Sequence, residues 1–170
     1  ASGCTAAVTH IGHGVSEVAD VLAEQARTLA VHPTHLFHSP VVEDYFEKLC
    51  AFAPDGFTRA WTMSGGTEAV ENAIKLTFQY HRAKGRTTRK RVIARWGSYH
   101  GNSITNLDFG GMVARRSFYT ALMPDGQHLH ASPCLPYRRG DGQSVDDYED
   151  QLVQEFADLV EQHPDEIIGG

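Results

Sequence analysis

The sequence predicts an α/β fold, and three features of its patterning lead there. Four segments carry apolar residues at helical spacing, and short β-rich runs lie between them. Across 57–95 the order is strand, Gly-rich turn, helix, strand, which is the grammar of a parallel sheet flanked by helices.

The elements follow in chain order. The first helix is expected over 16–30, with Val18, Leu22, Gln25 and Leu29 on one stripe and Ser16 as N-cap. The run "VHPTHLFHSP" interrupts it with two prolines. A second helix then starts from Ser39 as N-cap, with Pro40 in the first helical position and Val41, Tyr45 and Leu49 on one face. "APDG" at 53–56 is a turn. Phe57 to Met63 reads as a strand. Thr67 to Ala83 reads as a helix with Val70, Ile74, Thr77 and His81 on its stripe, Ala73 and Tyr80 beside it, and Gly85 as its stop. "RVIAR" at 91–95 is a second strand, parallel to the first through a right-handed crossover. Ser144 opens the last helix, with Val145, Tyr148, Leu152, Phe156 and Leu159 inward. Pro164 ends it, and "EIIGG" returns to the sheet.

Composition narrows the partners. A net charge of −6 over 170 residues argues against a nucleic-acid surface, which would show a basic excess. The one basic run, "GRTTRKR" at 85–91, reads as a solvated loop with no interleaved aromatics. Cys4, Cys50 and Cys134 are odd in number and distant, which fits a reducing compartment better than a disulfide framework or zinc site. No run is long and apolar enough for a membrane span, and the first residues lack the pattern of a signal peptide. The expectation is a cytoplasmic protein with neither nucleic-acid nor membrane partners.

Within "WTMSGGTEAVENAIKL", two adjacent glycines stand where a strand should pass into a helix. Glycine favours neither element, so a tight turn or the close approach of a ligand must explain the pair. A Gly-rich turn leading into a helix N-terminus offers N–H groups and a favourable dipole to an anion. "GSYHG", at 97–101, follows the next strand. Ligands in open α/β sheets bind at the carboxyl ends of strands, so both motifs are expected to border one crevice. A phosphate cradle beside a Tyr–His pair suits a flat, phosphorylated cofactor.

"SGGTEAVENAIKL" followed by "SYHGNSI" resembles the class III (omega-type) aminotransferases, fold-type I enzymes that use pyridoxal 5′-phosphate. "ASGCTAAVTHIGHG", Glu24–Gln25, "APDGF" and "RRSFYTALMP" occur in the family's order, so the resemblance runs through the whole chain. It implies that Gly66 and Thr67 bind the cofactor phosphate, while Gly65 stands where many relatives carry serine. It also implies that Tyr99 stacks on the pyridine ring, with His100 beside it. A half-buried core tyrosine and a loop histidine bonded to backbone are the plain alternatives. Glu68 and Glu71 match as well, but the helix dipole alone accounts for acids in a first turn.

The resemblance further implies a partial large domain, mostly parallel sheet with flanking helices, over 39–170. Residues 1–38 would form a preceding small-domain segment or interface arm. The family's Schiff-base lysine and the aspartate that pairs with the pyridine nitrogen match nothing here. Lys48, Lys75, Lys84 and Lys90 lie outside matching motifs, so no catalytic residue is assigned and the chain is expected to be an N-terminal portion, inactive alone.

The implied reaction moves an amino group from an amine or amino-acid donor to a keto acid or aldehyde. The implied assembly is a homodimer with "HPTHLFHSP" near the contact. Aminomutase or decarboxylase chemistry on the same fold is the alternative, as is a non-catalytic portion. A metal module built on His32, His35 and His38, or on His128 and His130, is a further one. Prolines and the lack of spaced acidic or cysteine ligands count against it, and no metal is expected.

Overall fold

The computed structural model describes residues 10–33, 35–124 and 128–169. Cys4 and most of "ASGCTAAVTHIGHG" lie outside them, as does Thr34. The chain forms two compact units, 1–61 and 62–170. The boundary expected after residue 38 falls inside the first.

In the first unit, α1 spans Ser16–Thr28 and α2 spans Pro40–Phe52. Ser16 is not the N-cap of α1. Val15 holds that position, and Ser16 Oγ lies against its neighbour Glu17. Ser39 and Pro40 open α2 as expected, although the Ser39 side chain makes no capping bond. The apolar stripes stay open within this unit, with Leu22 65% and Tyr45 52% exposed.

The second unit holds the sheet. α3 is Gly66–Ala83, β1 Arg91–Arg95, α4 Ile104–Phe109, α5 Val113–Arg116, β2 Leu129–Ala131, α6 Val145–Gln162 and β3 Ile167–Gly169. Short 3-10 turns cover Ser117–Leu122 and Pro136–Arg138. β1 lies between β2 and β3, parallel to both, so the expected α/β class with a parallel sheet is what forms. Ile93 pairs with Leu129 on one side, and Arg91 with Ile167 on the other. Ile93, Ala94, Leu107, Phe109, Ala131 and Ile168 form the buried core, so α4 covers the sheet at its centre. β1 is central because its middle residues are apolar on both faces, as a fully covered parallel strand requires.

Along α3, Val70, Ile74 and Thr77 are half-buried and His81 is buried, while Ala73 and Tyr80 face outward. His81 Nε2 lies 3.2 Å from the Ile168 carbonyl, tying α3 to β3. Ser144 caps α6 by accepting the Asp147 N–H at 3.0 Å. Tyr148, Leu152 and Leu159 turn inward, but Val145 and Phe156 remain 39% and 38% exposed.

Two further expectations are corrected. Residues 57–63 form no strand, and therefore no βαβ unit with β1. A strand exists only through a hydrogen-bonded neighbour, and no described residue pairs with this stretch, where Phe57 and Trp61 are 63% and 68% exposed. The basic run is not simply solvated. Arg89 donates to the carbonyls of Ile167 at 2.6 Å and Pro164 at 2.8 Å, and Arg91 Nε lies 2.8 Å from Glu166 Oε2. These guanidinium groups fasten the entry to β3 onto β1.

Candidate functional site

Two loops meet at the N-terminus of α3. Gly65 is the N-cap, Gly66 the first helical residue and Thr67 the second. The first intrahelical bond runs from Ala69 N–H to Gly65 O, so the N–H groups of Gly66, Thr67 and Glu68 precede the ladder and have no helical acceptor. Gly65 has φ −167°, extended backbone that any residue adopts. A Cβ on Gly66 would meet nothing within 4 Å, and one on Gly65 would meet only the mobile end of Glu68, at 2.9 Å from Oε2. Neither glycine is therefore demanded by this chain's own backbone or packing. The bare turn leaves space at Gly66, beside three N–H groups that have no acceptor among the described residues.

Gly101 is the opposite case. Its φ is +130°, and a Cβ there would collide with Asn106 Nδ2 and stand 2.7 Å from Thr67 Oγ1 and 3.0 Å from Thr67 Cα. The loop after β1 thus lies directly on the first turn of α3. The Asn102 N–H points to Thr67 Oγ1 at 3.4 Å, which leaves the hydroxyl proton free to serve another acceptor. The "SGGTE" and "SYHG" motifs are brought side by side.

The Tyr99 ring is 50% exposed, with the Arg115 guanidinium carbon 4.8 Å from its centroid. Arg115 also reaches Asn102 Oδ1 at 3.4 Å. His100 is half-buried, its ring 5.1 Å from Phe109, and its carbonyl accepts from Asn106. The slot lined by Ser98, Tyr99, Gly101, Asn106 and Arg115 measures only about 10 Å³, room for roughly one water. The slot is too small for a ring-sized ligand.

Below this face sits a buried polar group that the motifs give no hint of. The Asp108 carboxylate faces His128 Nε2 at 3.5 Å and Arg116 at 3.9 Å. Arg116 also donates to the backbone carbonyls of Asp108 and Leu107. His128 Nδ1 accepts the Val92 N–H at 3.1 Å, which puts the ring proton on Nε2, facing Asp108. Burial, reinforced by His130 and Arg91, lowers His128 to about 4. Burial likewise lowers His130, which stacks on Trp96 at 4.1 Å, and raises the Asp108 carboxyl. At neutral pH both imidazoles are uncharged. His128, just before β2, and His130, within it, thus have an acidic neighbour contributed by α4, a partner that sequence spacing could not supply. Among the described residues no group of three or more His, Cys, Asp or Glu is arranged to hold a metal ion.

A family model for class-III aminotransferases matches residues 2–169. The chain belongs to that family. An uncharacterized aminotransferase of Schizosaccharomyces pombe is 34% identical over 156 residues, 91% of this chain and 34% of its own. An omega-aminotransferase of Caulobacter vibrioides is 28% identical over 125 residues, 74% of this chain and 28% of its own. The crystal structure of an (S)-enantioselective omega-transaminase from Thermomicrobium roseum is similar at TM-score 0.84 and 29% identity, covering 93% of this chain and 35% of that one. The class-III chain thus spans about a third of the length of the curated relatives it matches. Its parallel sheet is part of a transaminase fold. Among the described residues no helix is long and apolar enough to cross a membrane.

Proposed function

We propose that the full-length protein is a pyridoxal-phosphate-dependent aminotransferase, and that residues 62–170 supply the phosphate and ring-stacking side of its cofactor site. The observation that carries the reading is the packing of Gly101 against Thr67, which puts the bare helix N-terminus and the exposed Tyr99 loop on one face. The residues fit the group: the glycine turn has space where a side chain would stand, and its donors suit a dianionic phosphate.

In this reading the N–H groups of Gly66 and Thr67 and the Thr67 hydroxyl hold the phosphate. Gly65 contributes by having no side chain. Tyr99 supports the ring, and His100 borders it. Glu68, whose carboxylate lies over Gly65, swings outward when an anion arrives, since two negative groups at one helix end repel. When bound, the cofactor supplies an electron-accepting ring that stabilises negative charge on the substrate carbon. None of the four lysines is proposed as its covalent anchor. Lys84, for example, rests at the end of α3 with Nζ 5.9 Å from the Tyr80 ring.

The proposed reaction passes an amino group from an amine or amino-acid donor to a keto acid or aldehyde. A cytoplasmic homodimer, with Leu36 and Phe37 near the subunit contact, is proposed with it. Both side chains are exposed, at 66% and 60%. Incubating the full-length holoprotein with a panel of amines and of keto acids and aldehydes tests the reading, with the aminated acceptor (alanine from pyruvate) as the measured product. Cofactor binding without amino transfer from any donor to any keto acid or aldehyde offered would overturn it.

A further inference from the structure

Resting on the cofactor reading above, we propose that Asn106 is a positioning residue that sets phosphate affinity by tying the α3 turn to the Tyr99–Gly101 loop. Its side chain does not reach the open face. It is 0% exposed, the most completely enclosed side chain among the described residues. Both hydrogens of its amide are used across the junction, one on the Thr67 carbonyl at 3.0 Å and the other on the His100 carbonyl at 2.8 Å. Its own N–H is fixed by the Ser103 hydroxyl, the N-cap of α4. One residue therefore joins three segments: the first turn of α3, the loop after β1, and the start of α4.

The chemistry explains why it is asparagine. Its Oδ1 is buried with no donor among the described residues, so the side chain is held for its two N–H groups and not for its acceptor. An ionised aspartate would set an acceptor against two carbonyl oxygens, and a leucine of similar size would leave both carbonyls without their donor. Gly101 makes the arrangement possible, because any side chain there would occupy the space taken by Nδ2 and the Thr67 hydroxyl. The bond to the Thr67 carbonyl fixes the peptide and side chain that the proposed phosphate site uses. The bond to the His100 carbonyl holds Tyr99 at a set distance from that peptide.

A residue that merely stabilises the fold and one that aims Thr67 differ in a double-mutant cycle. Apoprotein of the full-length wild type, Thr67→Ala, Asn106→Leu and the double variant is titrated with pyridoxal phosphate, and circular dichroism confirms that each is folded. Thr67→Ala alone is expected to weaken binding about ten-fold or more, and Asn106→Leu by about ten-fold. In the Asn106→Leu background the loss of the Thr67 hydroxyl should cost no more than about three-fold, since a misaimed hydroxyl has little to lose. Asn106→Asp, closer in shape, replaces the leucine variant if that protein does not fold, with the same coupling expected. Asn106 variants that bind like the wild type would overturn the inference. So would fold-changes that simply multiply, or failure of both Asn106 variants to fold, which would assign the residue to the fold alone. A wild type that does not bind pyridoxal phosphate would instead overturn the cofactor reading, so the two failures are distinguishable.

Discussion

Replacing His128 with glutamine should remove an acid lability built into the core. The His128 side chain is 6% exposed, and its Nδ1 already accepts the Val92 N–H. Burial, reinforced by the nearby His130 and Arg91, disfavours the charged ring, which is why the group falls from 6.5 to about 4. The folded value lies below the unfolded one, so between them the unfolded chain binds a proton that the folded chain refuses. The stabilising effect is complete above 6.5 and is lost as pH falls toward 4. From about pH 7 to about pH 5 the loss is about 2 kcal/mol. His130, also lowered, acts in the same direction. Asp108, raised by burial, takes up a proton on acidification and offsets part of the loss at the acid end. Urea unfolding followed by the fluorescence of Trp96, which stacks on His130, reports on this unit. The stability of the wild type relative to His128→Gln should shrink by about 2 kcal/mol between those pH values. An equal difference at both would refute the reasoning.

Other outcomes are expected from the same geometry. Gly101→Ala should destabilise the protein by roughly 2–4 kcal/mol, read by urea unfolding, because a positive φ and the contact with Thr67 and Asn106 penalise it together. Gly66→Val should weaken pyridoxal-phosphate binding more than Thr67→Ala does while leaving the circular dichroism unchanged, since a side chain there has room in the protein but not beside a phosphate. Tyr99→Ala should weaken cofactor binding several-fold, as loss of about 1 kcal/mol of stacking implies, with little change in stability because the ring is half exposed. Light scattering on the full-length protein should give a dimer.

Much of the architecture was legible because it is locally encoded. Ser144 caps α6 and Ser39–Pro40 opens α2 through chemistry confined to a few residues, and β1 was recognisable as a short, β-rich apolar run. The stretch 57–63 has the same local character as β1, but a strand is a property of a pair, and no described residue pairs with it. α4 is not legible in the sequence although Ser103 followed by Asn106 is a cap signal, because a helix of 6 residues shows too few turns for periodicity. The glycine turn and the Tyr–His loop are visible as motifs, but with no strand over 57–63 their adjacency rests on the packing of Gly101 against Thr67 and on the Asn106 bonds, not on two strand ends. Asn106 and the Asp108–His128 pair were not visible. Their partners lie 39 and 20 positions away in sequence, and only the closing of α4 onto β1, β2 and α3 brings them together.

The most direct test of the central claim is a crystal structure of the full-length protein grown with pyridoxal phosphate. The account predicts the phosphate within hydrogen-bond distance of the Gly66 and Thr67 N–H groups and the Thr67 hydroxyl, with the pyridine ring against Tyr99 and the Asn106 bonds to the Thr67 and His100 carbonyls intact. A cofactor phosphate held elsewhere, with the α3 N-terminus facing only solvent, would contradict it.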